Sequence, residues 1–393
     1  MRLARKRLPD ETAKDLADNN IRWANPSRHR HIEIGAAMTI GPLVSQASEP
    51  AGHRGPALSP VCPRKRILVQ AAFRPLQTVT MSPMRHVILG AGGVGGLIAA
   101  VLAHAGENVT LSVRPGTDSL YPPELSLDSR FGQFAVPVSV TTKIQQPLEI
   151  LWITVKATQL EAALENIDDR AKIDLVVPLL NGIDHVERLR KHFGDERVIP
   201  ATIAGETERI SPGRIVHRSS FIRFNVARQG QGHLRSPIDI FERFGFDCQV
   251  LDDERTLLWT KLVFLAPIAL STSAARGPLG EVMSQSARAA GLEQCLREVC
   301  AVATADGAKV NAETVLAGIK ALPSGTRSSM EKDIAKGNRP ELDAIAGPII
   351  RRAEKYGMAV PKTAELMSLV AKNSALADSA GSSKPTTDTV QIR

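Results

Sequence analysis

The sequence predicts a doubly wound α/β domain with a mostly parallel sheet, then an all-α domain, with a disordered extension in front. Three observations predict it. An apolar strand at residues 86–89 runs into a glycine-rich turn and an apolar helical stretch ending at His104. Two further apolar runs end in polar residues, Lys156 and Asn181, where strand ends are expected. From about Asp252 the strand signals give way to helical spacing.

The chain has 393 residues, enough for about two or three domains with a sizeable core. Its hydrophobic share of 43% and charged share of 23% are ordinary for a globular protein and exclude global disorder. The net charge of +8 invites a nucleic-acid reading, but residues 1–83 carry +7 of it. The remaining 310 residues are nearly neutral, so no basic surface for phosphate backbones is expected on the folded body. Cys62, Cys248, Cys295 and Cys300 form no C-x-x-C pair, which speaks against a zinc ribbon or disulfide scaffold; no metal site is expected, and a reducing cytoplasm is.

Residues 1–83 hold 9 of the 25 prolines and no sustained hydrophobic period, so they are expected to be disordered or non-native. A secretory signal is excluded by the missing apolar core, and a transit peptide by Asp10, Glu11, Asp15 and Asp18. The functional protein is expected to begin near Met81 or Met84. Residues 87–106 lack any Asp, Glu, Lys or Arg over twenty positions, a span-like length. Six of the twenty are glycines placed as turns, so a soluble strand–turn–helix reading is preferred and no membrane is expected.

His86-Val87-Ile88-Leu89 reads as a buried parallel strand. Gly90-Ala91-Gly92-Gly93-Val94-Gly95 is a G-x-G-x-x-G in the strand–turn–helix–strand context that a lone motif lacks. Gly90 permits the tight turn, Gly92 lets a pyrophosphate approach, and Gly95 lets the helix pack on the strand. The helix N-terminus then offers unpaired N–H groups to the phosphates. A second strand, residues 108–113, ends at Arg114 where an NAD site would hold Asp or Glu. A guanidinium can pair with a 2′-phosphate, so NADPH is the expected cofactor, against the alternative of a solvated loop arginine.

Strands at 149–155 and 175–180 end in Lys156 and in Asn181-Gly182, and ligands bind beyond the carboxyl ends of such strands. Taken alone, Lys156 is a solvated charge and Asn181-Gly182 a turn pair. A helix over 253–273 carries Lys261 among Leu257, Leu258, Trp259, Leu262 and Leu265. A desolvated ammonium suits a proton donor to a carbonyl oxygen, while a snorkelling lysine is the bland alternative. Residues 328–333 are expected to close a helix at Gly337. Pro340 is expected at the first position of the next helix, where Glu341 would complement the dipole. Residues 375–393 read as a disordered tail.

From Met84 to about Lys372 the chain resembles the ketopantoate reductase (2-dehydropantoate 2-reductase) family. The resemblance rests on Gly90 to Gly95, Thr154-Val155-Lys156, Leu180-Asn181-Gly182, Trp259-x-Lys261, and Ser328-Ser329-Met330 followed by Glu341. It implies a Rossmann domain, 84–251, and a helical domain, 252–374, with the active site between them. NADPH would deliver hydride to the keto carbon of a 2-oxo acid in pantothenate synthesis. Lys261 matches the lysine that protonates the carbonyl oxygen, and Glu341 a glutamate assisting at cofactor and active site. Asn181 matches an asparagine contacting cofactor and substrate, Ser329 a substrate-binding serine, and Lys156 a lysine of the same cleft. A homodimer is implied by resemblance alone. Leu265, Ala269 and Leu279 stand where the family has asparagines. The lost hydrogen bonds suggest a more hydrophobic 2-oxo acid as an alternative substrate. A non-catalytic NADPH-binding regulator on the same scaffold is the rival from another class.

Overall fold

A computed structural model describes residues 83–381. What is expected of residues 1–82 and 382–393 lies outside the described residues.

β1 (Arg85–Leu89) leads through the glycine turn into α1 (Gly93–His104), and β2 (Asn108–Ser112) follows. Helix α1 starts earlier than its apolar stretch because the last glycines of the turn already wind into it. No element is expected between Arg114 and Glu149, yet three strands lie there: β3 (Glu124–Ser129), β4 (Gly132–Pro137) and β5 (Ser139–Thr141). Leu125 and Leu127 point into the core while Glu124 and Asp128 face water, the alternation of a half-exposed hairpin rather than a continuous apolar run.

The α/β half continues with β6 (Leu148–Ile153), α2 (Leu160–Leu164), β7 (Ile173–Pro178) and α3 (His185–Phe193). It closes with β8 (Ala201–Ala204), β9 (Thr207–Ser211), β10 (Arg214–His217), β11 (Arg223–Ala227), α4 (Arg235–Phe244) and β12 (Asp247–Leu251). The central sheet runs β5-β2-β1-β6-β7 with every neighbour parallel. A second sheet, β4-β3-β10-β9, and a third, β12-β11-β8, flank it. A single parallel bridge, Val176 to Val198, continues β7 toward the third sheet.

The helical half comprises α5 (Glu254–Ala275), α6 (Leu279–Ser284), α7 (Ser286–Ala305), α8 (Ala312–Lys320), α9 (Ser329–Ala335), α10 (Leu342–Lys355) and α11 (Pro361–Gly381). Asp253 caps α5 by accepting from the backbone N–H groups of Arg255 and Thr256. Among the described helices, α5 is the one long and apolar enough to cross a membrane, but 78% of its apolar window is buried inside the protein. It is the core helix: Leu258, Trp259, Leu262 and Val263 share one hydrophobic cluster with Val87, Leu89, Leu151 and Ile153 of the central sheet. The opposite face of that sheet packs Ile88, Ile150 and Trp152 against α1 and the aromatic side chains Phe224 and Phe241.

Three expectations for the helical half are corrected. Residues 328–333 open a short helix, with Ser328 as its N-cap, rather than closing a longer one; Gly337 does end it, in the left-handed conformation. Pro340 lies before α10, and Glu341 occupies the N-cap position without making a side-chain cap. The chain from about residue 375 is helical through Gly381, because no Gly or Pro between Pro361 and Gly381 interrupts the propagation of α11.

Candidate active site

The glycine turn is shaped by contacts that only glycine admits. Gly90 has φ +106°, and a Cβ there would sit 2.7 Å from Val155 Cγ1. A Cβ on Gly95 would sit 2.2 Å from the Gly90 carbonyl oxygen. The position of Gly92, by contrast, faces open space, which leaves room for a ligand against the backbone. Thr154 fastens the turn to the end of β6, its N–H donating to Leu89 O and its hydroxyl to Gly90 O at 2.7 Å. Gly90 N–H donates to Ser112 O at 3.1 Å, so the end of β2 and exposed Arg114 beyond it lie beside the turn. The turn thus fits a dinucleotide: open backbone at Gly92, a helix N-terminus, and Arg114 at the far end.

Arg209 of β9 donates to the Ala91 carbonyl at 3.3 Å and to the Tyr121 hydroxyl at 2.6 Å. The sequence reading missed this second arginine at the turn. Nothing in its local sequence marks it, since the second sheet carries it there.

Beyond the strand ends, three of the expected residues meet. Glu341, buried at the head of α10, accepts from Ala157 N–H at 2.7 Å and from Asn181 Nδ2 at 3.0 Å. At the N-cap of α10 it also clasps the chain just beyond the ends of β6 and β7, which the sequence does not indicate. Gly182, with φ +82°, lets α10 approach so closely that a Cβ there would sit 2.1 Å from Ala344 O. Lys261 reaches the same loop, its Nζ donating to Leu180 O at 3.3 Å. Part of Lys261 stays accessible, but burial around the ammonium lowers its pKa to about 8, with the Glu341 charge pulling the other way.

Lys156 is half-buried and pairs with Asp333 of α9 at 2.7 Å. Lys332 with Glu206, and Lys336 with Glu208 at 3.2 Å, make further ion pairs from α9 to the α/β half. Ser328 is buried and bonded to Thr272 Oγ1 at 2.8 Å, whereas Ser329 is exposed on the first turn of α9. Of the three residues replacing family asparagines, Ala269 and Leu279 are buried in the core, and Leu265 alone is partly accessible. A cavity of 230 Å³ lies farther along α5 and α9, bordered by Ser273, Arg276, Arg327 and Glu331. The larger cavity of 580 Å³, between α4 and β12, touches none of the residues above.

An ion-pair network braces the loop after β7. Asp184 accepts from Arg351 and Arg352, each at 2.7 Å, and Arg352 also donates to Asp306, which accepts from Trp259 Nε1 at 2.8 Å. Burial disfavours ionisation of Asp184, yet Arg352 and Arg351 hold its pKa below the usual value. His185, the first residue of α3 after Asp184, is buried, and its ring nitrogens have no hydrogen-bond partner among the described residues.

Comparison with known proteins supports the fold and identifies the family. Residues 86–227 match the family model described as ketopantoate reductase PanE/ApbA, and residues 253–374 match that of its C-terminal part. The 2-dehydropantoate 2-reductase of Caulobacter vibrioides is 28% identical over 291 residues, covering 72% of this chain and 97% of that protein. A PanE/ApbA family ketopantoate reductase structure from Ralstonia eutropha JMP134 superposes with a TM-score of 0.65 at 26% identity, covering 75% of this chain and 99% of the other. D-mandelate dehydrogenase, solved with NADH and anilino(oxo)acetate, shares the fold at TM-score 0.67 and 18% identity, covering 75% of this chain and all of the other. The chain belongs to the ketopantoate reductase PanE/ApbA family, whose members are oxidoreductases acting on CH–OH groups with a nicotinamide cofactor.

Proposed function

We propose that the protein reduces 2-dehydropantoate (ketopantoate) to pantoate with NADPH. The observation that carries the reading is the buried Lys261 ammonium beside the Asn181–Glu341 hydrogen bond, at the carboxyl ends of β6 and β7. NADPH, held against the glycine turn from Gly90 to Gly95, would supply hydride to the keto carbon. Negative charge then develops on the carbonyl oxygen, where Lys261 Nζ stabilises it and transfers a proton, giving the alcohol and a neutral lysine that solvent reprotonates. Glu341 orients Asn181 and favours the charged form of Lys261. Exposed Ser329, at the start of α9, is the substrate-binding hydroxyl in this reading, and Lys156 lines the cleft near the cofactor. Arg114 takes the 2′-phosphate. A small-molecule substrate, a cytoplasmic location and a homodimer complete the reading. Free thiols at Cys248, Cys295 and Cys300 suit a reducing compartment.

Half-buried Leu265 favours a second reading, reduction of a more hydrophobic 2-oxo acid by the same residues. The deciding experiment is NADPH oxidation with ketopantoate and a bulkier branched 2-oxo acid side by side. Faster turnover of ketopantoate supports the first reading, and preference for the bulkier acid the second. If the protein binds NADPH but reduces neither acid, and Lys261→Ala behaves identically, it is a nucleotide-binding regulator.

A further inference from the structure

The edge strand β9 reaches the glycine turn from the second sheet. A Cβ on Gly93, the first residue of α1, would sit 2.5 Å from the Thr207 carbonyl oxygen, so the backbone of β9 closes on the N-terminus of that helix. Successive side chains of a strand point to opposite faces. Glu208 pairs with Lys336 of α9, and Arg209, on the other face, turns back onto the glycine turn.

There Arg209 Nη1 donates to the Ala91 carbonyl at 3.3 Å and to the Tyr121 hydroxyl at 2.6 Å. Its Nε and Nη2 make no hydrogen bond, and no carboxylate pairs with it, among the described residues. Tyr121 is itself held in place. Its ring packs against the hydrophobic cluster that contains Ile88, Ile150 and Trp152, and the neighbouring Pro122 lies against the turn between β9 and β10, where a Cβ on Gly213 would sit 2.3 Å from Pro122 Cγ. A guanidinium is thus anchored by one nitrogen beside the open backbone of Gly92, with its remaining donors and its charge unspent. Arg–phosphate pairs are among the stronger hydrogen bonds a protein makes, and a helix N-terminus adds to the same attraction.

We propose that Arg209 is a cofactor-binding residue that pairs with the pyrophosphate of the nicotinamide dinucleotide, with Tyr121 as its positioning residue. Arg114 is read above as taking the 2′-phosphate, which NADH lacks, whereas the pyrophosphate is common to both nucleotides. Arg209 therefore supplies affinity, and Arg114 the choice between NADPH and NADH. The inference rests on dinucleotide binding at the glycine turn and is independent of which 2-oxo acid is reduced.

The test measures dissociation constants of NADPH and NADH by isothermal titration calorimetry on the full chain, with no substrate present. Arg209→Ala weakens both nucleotides by the same factor, roughly 10- to 100-fold. Arg209→Lys, which keeps the charge, recovers part of the loss. Arg209→Gln, which keeps a donor for the Ala91 carbonyl but no charge, does not. Tyr121→Phe weakens both nucleotides by a smaller factor and adds little to Arg209→Ala in the double variant, because the hydroxyl acts through the guanidinium. Arg209 is exposed, so its variants fold, and melting curves verify it. Unchanged binding in Arg209→Ala overturns the proposal, as does a loss confined to NADPH. Full recovery in Arg209→Gln overturns it too, since the arginine would then only brace the turn. An unaltered chain that binds neither nucleotide removes the dinucleotide site itself, and this inference with it.

Discussion

The side-chain amide of Asn181 donates to the carboxylate of Glu341 at 3.0 Å, across 160 residues of sequence. The other carboxylate oxygen accepts from the backbone N–H of Ala157 at 2.7 Å. One buried acidic group therefore fixes the ends of two parallel strands against the first turn of α10, and Lys261 lies in the field of its charge.

Removing that group has two separable effects. Glu341→Ala leaves two part-buried donors unpaired and destabilises the fold by up to about 2–6 kcal/mol, at about 1–3 kcal/mol for each donor. Glu341→Gln keeps one acceptor and costs less, but it deletes the charge that raises the Lys261 pKa. The alkaline limb of its activity profile consequently moves to lower pH. Urea unfolding and a pH–rate profile read the two effects independently.

Lys261 with a pKa of about 8 dictates the pH behaviour. A general acid must be protonated, so kcat falls as pH rises through about 8 and is flat below until other groups intervene. Stability runs the opposite way. Between about 8 and 10.5 the unfolded chain holds a proton that the folded protein has released, so the penalty for burying Lys261 shrinks as pH rises. Lys261→Ala loses roughly 10²–10⁴-fold in turnover while keeping nucleotide binding and stability.

Arg114→Ala weakens NADPH binding by about tenfold or more, the loss of a hydrogen bond between charged groups, and leaves NADH binding nearly unchanged. Titration of both nucleotides by fluorescence gives the ratio. Equal weakening of the two assigns Arg114 a general role in place of 2′-phosphate recognition.

The residues replacing the family's asparagines are not equivalent. Leu265→Asn introduces an amide at a partly accessible position, so the protein stays folded and its preference shifts toward the more polar 2-oxo acid. Ala269→Asn adds volume and polar atoms at a fully buried position and destabilises by about 1–3 kcal/mol or more. Relative kcat/KM for two acids and a melting curve of each variant check this.

The glycine turn, the strand that feeds it and the long helix carrying Lys261 were legible because each is governed by local chemistry. A positive φ demands Gly90, close packing demands Gly95, and a run of apolar residues around one lysine marks a core helix. The hairpin at 124–137 was not legible as a buried run. Its apolar residues alternate with Glu124, Asp128 and Gln133, and its partner β10 lies far along the chain. Ser328 and Ser329 are chemically identical neighbours, and only the Thr272 contact and the capping geometry separate the buried one from the exposed one.

By itself, then, the sequence determined the dinucleotide turn, the α/β-then-helical order and the lysine, since backbone strain and hydrophobic period are properties of neighbouring residues. Tertiary structure alone decided that Glu341 clasps Ala157 and Asn181, that Lys156 pairs with Asp333, and that the buried His185 ring has no hydrogen-bond partner among the described residues. Hydrogen bonds and desolvation depend on which distant groups are brought within about 3 Å, and no local pattern encodes that distance.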